Sequence, residues 1–155
     1  MGRDQLVAIL AVIHVGAAFL FIGGYIGTNL MTEVARRTDE AERRRAALEF
    51  SGLFDRLLVP PPATVTGLSG IALTAASGHP WTSAWVVAAI GGFALVIGLG
   101  IFFWSRVGRR IERALAAGDE GEVVRLLRDP RNVAVSRIEN IVLAVVIVLM
   151  VLRPA

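Results

Sequence analysis

The sequence predicts an all-α integral membrane protein, a four-transmembrane-helix bundle with amphipathic cytoplasmic segments. Three observations carry this. The 155-residue chain is 55% hydrophobic and only 19% charged, with a mean hydropathy of +0.64, which is too apolar for a soluble domain of that length. Four apolar stretches are long enough to cross about 30 Å of hydrocarbon, which takes roughly 20 helical residues. Charged or turn-forming segments separate them and use up the rest of the chain, so residues 1–155 form a single membrane domain.

The first span covers about 6–30, preceded by only two charges, Arg3 and Asp4. A secretory signal would have a shorter apolar core and a small-residue cleavage site. This run is longer and continues into a charged helix, so it is expected to span. Residues 32–56 are rich in Arg and Glu, with Val34, Leu48, Phe50, Leu53 and Phe54 between them. That pattern predicts an amphipathic helix lying at the membrane surface. Pro60, Pro61 and Pro62 open the second span, about 59–76, because proline is tolerated in a first helical turn. A turn from Ser77 to Thr82 leads to the third span, about 84–104, with Trp81 and Trp85 at one interface and Trp104 at the other. The second polar stretch, about 105–131, reads as two short surface helices joined by Gly118-Asp119-Glu120-Gly121. The fourth span covers about 132–152. No internal repeat or low-complexity tract is evident.

Orientation follows from arginine, the only basic residue besides two histidines. Arg36, Arg37, Arg43, Arg44, Arg45 and Arg56 lie in the first polar segment. Arg106, Arg109, Arg110, Arg113, Arg125, Arg128, Arg131 and Arg137 lie in or beside the second. Only Arg3 and Arg153 flank the other ends, so the positive-inside rule puts both polar loops in the cytoplasm and both termini outside. All-arginine usage with abundant Ala, Gly and Val points to a bacterium, hence the inner (plasma) membrane. The acids interleaved with Arg43–Arg45 and Arg106–Arg113 favour membrane lipids over nucleic acid as the partner.

Cysteine is absent, which excludes disulfides, thiolate metal sites and a thiol nucleophile. No phosphate loop, nucleophile–base pair or metal-spaced cluster occurs, so no catalytic constellation is predicted. His14 is the residue to single out. It lies about nine residues into the first span, roughly 13 Å deep, where an ionisable side chain is a functional hypothesis by default. At 100° per residue His14, Phe21 and Tyr25 share one helical face, and Gly16, Gly23 and Gly27 the opposite one. Gly23 and Gly27 have the spacing that lets another helix approach closely, so the glycine face is expected to pack. Two readings of His14 stand side by side. A neutral imidazole could hold the first two spans in register through Thr64, Thr66 or Ser69. Alternatively His14 is an axial ligand to the iron of a b-type haem, with Phe21 and Tyr25 lining the macrocycle. A second ligand is missing at that depth, where the other spans offer residues near Thr66, Ala94 and Val146. A five-coordinate haem, or one shared by a symmetric dimer, would not need it. His79 reads as turn chemistry, and Glu139 as a partner for an interfacial arginine or as a proton-relay carboxylate.

His14-Val15-Gly16 followed by Phe21-Ile22-Gly23-Gly24, the prolines before Thr66-Gly67, and Gly118-Asp119 before Leu126-Leu127-Arg128 resemble a family of predicted bacterial integral membrane proteins of unknown function. The resemblance covers nearly the whole chain and implies four helices. More distantly, a histidine in the first helix resembles the copper-resistance D-type and the protoporphyrinogen-oxidase-like haem-binding membrane families, which implies His14 as the haem ligand. The expected role is a non-catalytic accessory subunit of a larger membrane assembly, respiratory or electron-transfer, that packs with other subunits or with itself. The alternatives are a haem b protein and a small transporter.

Overall fold

The structure is a computed structural model and describes residues 2–152; Arg153, counted above for orientation, lies outside them. The described residues are helical except at short turns. Four helices are long and apolar enough to cross a membrane, which makes this an all-α membrane bundle. Contacts divide the chain into two compact units, Met1–Trp81 and Thr82–Ala155.

The first unit is a helical hairpin. Helix α1 runs from Arg3 to Arg37 without interruption, about 52 Å at 1.5 Å per residue. No Gly or Pro breaks it beyond Gly27, and Glu33 pairs with Arg36 and Arg37 one turn on, which carries it past the apolar run. It ends at Thr38, and α2, Ala41–Leu58, returns along it. At Val59 the backbone bends, with φ −105° and ψ −69°, and α3, Pro60–Ser77, continues with proline in its first turn. The pairing steps evenly down the hairpin. Arg44 Nη2 donates to the Thr38 carbonyl at 2.9 Å, Thr32 and Ser51 hydroxyls meet at 3.0 Å, and Arg3 Nε donates to the Ala76 carbonyl at 2.9 Å. Between these rungs Gly24 packs on Leu58 so closely that an added Cβ would meet the Leu58 carbonyl oxygen at 2.5 Å.

This layout corrects the expected surface helix over 32–56. The segment is helical, but it extends the first span and then doubles back antiparallel to it. Its small residues explain why: Ala35 and Ala47 are buried, so the two polar segments pack on each other.

The second unit repeats that element order. Helix α4, Ala84–Leu99, passes through a π-helical turn, Gly100–Trp104, into α5, Ser105–Ala116. A turn at Ala117–Asp119 follows, with Gly118 at φ 68°, a left-handed conformation that suits glycine. The Asp119 carboxylate accepts from the Glu122 amide at 2.9 Å and caps α6, Glu120–Arg128. Helix α7, Pro130–Leu152, then returns along α4, with Gly92 beneath Val146. The two short helices expected over 105–131 are therefore present. The first of them is continuous with the third span, and the fourth span begins two residues earlier than expected, at Pro130.

Candidate functional site

His14 sits where α1 crosses α3. Its Nδ1 lies 3.0 Å from the Thr66 carbonyl and 3.3 Å from the Ser69 hydroxyl. A carbonyl can only accept, so this geometry assigns the proton of the neutral imidazole to Nδ1 and leaves the Nε2 lone pair free. Nε2 has no hydrogen-bond partner among the described residues. Ser69 Oγ in turn donates within α3, to the Val65 carbonyl at 2.5 Å. The ring fits because position 70 is glycine: a Cβ there would stand 3.0 Å from His14 Cε1. Gly70 went unmarked at the sequence level, since only the pairing register brings it opposite His14. A bond of this kind between spanning helices contributes about 1 kcal/mol, and here it fixes the register of α1 on α3.

The two faces of α1 differ in what they meet within the chain. The His14 face is the packed one: Ala17, Phe21, Gly24 and Tyr25 are all buried, and the Phe21 and Tyr25 rings lie 6.3 Å apart at 45°. Of the glycines on the other face, Gly27 rests against the Phe54 ring, whereas Gly16 and Gly23 have nothing beside them. The close approach within the chain uses Gly24, one residue over from Gly23. Val12 and Phe19, which flank the open glycines, are 73% and 76% exposed.

Glu139 is 2% exposed. Trp104 Nε1 donates to its Oε2 at 2.6 Å. The π turn supplies that indole, a feature no periodicity in the sequence announces. At the polar end of this unit Glu122 accepts from Arg125 Nε at 2.5 Å and lies 3.3 Å from Arg110. The hydrogen bond from Arg125 and the nearby Arg110 charge hold its carboxyl below the usual range. His79 bonds Ser77 at 2.8 Å within the turn. No group of three metal-ligating side chains occurs among the described residues.

No curated protein and no solved structure matches the chain significantly. One family does, over residues 8–154, nearly the whole length and all four spans. The chain therefore belongs to the family described as predicted integral membrane protein (DUF2269).

Proposed function

We propose that this protein is a non-catalytic subunit of a larger membrane assembly, and that the glycine face of α1 is where it meets a neighbouring helix, from another subunit or a second copy. The observation behind this is the open pair Gly16 and Gly23, two turns apart on an exposed apolar face. A glycine inside a helix costs about 1 kcal/mol relative to alanine, and at these two positions nothing among the described residues of the hairpin offsets it. Close approach of a partner backbone would, since small residues are what helix pairs in lipid use in place of a hydrophobic driving force. The turns at Thr38–Glu40 and Ala117–Asp119, flanked by arginine-bearing helix ends, then face the cytoplasm of a bacterium, and the termini the outside. The test is co-purification: Gly16→Leu with Gly23→Leu should lose the partner while helicity and the His14 contact persist. A partner retained in full would sink the proposal.

The free Nε2 favours a second reading, in which His14 is the one axial ligand this chain offers to a b-type haem. The donor set fits that role in part. Nδ1 is held by the Thr66 carbonyl, as the non-ligating nitrogen of a metal-bound imidazole usually is, but the remaining ligand would come from the partner. When bound, the haem would supply one-electron chemistry; this chain's part is to hold and orient the imidazole. Oxidised and reduced absorption spectra of gently extracted protein decide it. A Soret band lost in His14→Ala supports the reading, and a colourless assembly removes it.

A further inference from the structure

The two polar segments use their arginines differently. In the first unit Arg36 and Arg37 pair with Glu33, and Arg44 is buried with its guanidinium on the Thr38 carbonyl. In the second, Arg106, Arg109 and Arg113 of α5 are exposed, with no ion pair or hydrogen bond among the described residues. Arg110 reaches Glu122 at 3.3 Å. Counting arginines treats the two segments alike; their packing separates them.

The fold turns these arginines outward. Helix α5 packs on α6, where Val123, Leu126 and Leu127 are buried, and the buried Ala114 shares its apolar side with Val107, Ile111 and Leu115. At about 100° per residue, Arg106, Arg109, Arg110 and Arg113 fall within an arc of about 100° away from that side. Glu112, the one acid in α5, lies outside the arc.

Their depth is set by the third span. The helix runs on through the π turn from Ala84 to Ala116. Its charge-free part, Ala84–Trp104, is about 31 Å long at 1.5 Å per residue, which matches the hydrocarbon thickness. Trp104 Nε1 donates to Glu139 at 2.6 Å, which puts this level on α7 as well. Arg106 and the exposed Arg137 each lie two residues from it toward the polar end, about 3 Å along their helices, and Arg109 lies about 8 Å along. The headgroup layer is about 5–7 Å thick on each side, so these guanidinium groups stand at the level of the lipid phosphates. A guanidinium matches phosphate oxygens in a two-point fork. A zwitterionic headgroup brings a competing cation to that contact, and an anionic one does not.

We infer that the arginine face of α5, with Arg137 at the same depth on α7, binds the phosphates of anionic phospholipids. Arg113, further out along α5, adds attraction by charge.

The experiment uses the full chain with Trp81→Phe and Trp85→Phe, which leaves Trp104 as the one indole. It is reconstituted in phosphatidylcholine bilayers containing either brominated phosphatidylglycerol or brominated phosphatidylcholine. Bromine on a neighbouring lipid quenches Trp104, and the ratio of quenching gives the lipid preference. Phosphatidylglycerol should be preferred, less so as salt rises. An arginine near the membrane surface contributes about fivefold, so Arg106→Gln with Arg109→Gln should remove most of the preference. Arg36→Gln with Arg37→Gln removes the same formal charge and should leave it in place. Inorganic phosphate added at constant ionic strength should not relieve the quenching. If the Arg106, Arg109 variant does not fold, the preference of the parent chain and the phosphate competition still decide. Equal quenching by the two lipids in the parent chain, equal loss in both double variants, or relief by free phosphate overturns the inference.

Discussion

At the scale of single residues, three glycines of α1 make opposite predictions from the same residue type. Gly24 lies against the Leu58 backbone, which cannot move aside, so Gly24→Ala should destabilise the hairpin by about 1–3 kcal/mol. Gly16→Ala and Gly23→Ala meet open space and should stabilise the isolated chain by up to about 1 kcal/mol through helix propensity. Thermal unfolding of the detergent-solubilised protein separates the two. The surroundings of His14 were partly legible in the sequence: Thr64, Thr66 and Ser69 were the candidates, and the structure puts Thr66 and Ser69 beside it. The glycines were less so. A face count at 100° per residue finds two sides of a helix but not which side meets the partner, and in Gly23-Gly24 it cannot tell which of two adjacent residues is pressed. Glu139 stood out as a partner for an interfacial arginine or a proton-relay carboxylate; the indole beside it was not legible, because a π turn carries Trp104.

At the scale of elements, the apolar runs and the prolines locate all four spans, because hydropathy and proline act locally. The arrangement of the polar segments was not legible. Amphipathicity is satisfied equally by a helix lying on a membrane and by one folded back on its neighbour, and only the buried Ala35 and Ala47 separate the two. In the second unit the α5–α6 turn is tied by Glu122 to Arg125 and Arg110. The Glu122 carboxyl titrates below its ordinary value of 4.5, so its contribution is fully present above that value and is lost as pH falls through the lower, folded one. The Glu122 side chain is 31% exposed, so the effect is modest and screened by salt. Acidification should loosen α6, read by limited proteolysis at the Ala117–Asp119 turn, and Glu122→Gln should remove that pH dependence.

At the scale of the whole molecule, each unit is one long helix, a three-residue turn, a short polar helix, a proline and an apolar return. The sequence shows no repeat, since the shared feature is the order of elements and not the residues in them. Arginine-bearing helix ends flank both turns, so single cysteines placed in the cysteine-free chain should report one sidedness. Glu40→Cys and Ala117→Cys should be protected from an impermeant thiol reagent in intact cells, and Thr82→Cys should be labelled. The most direct measurement of the central claim is the mass of the particle extracted gently from its own membrane, for the unmutated chain and for Gly16→Leu with Gly23→Leu. Assembly through the glycine face predicts a particle heavier than one chain that falls to a folded monomer in the variant. An unmutated chain that is already monomeric, or a variant whose particle keeps its full mass, would contradict it.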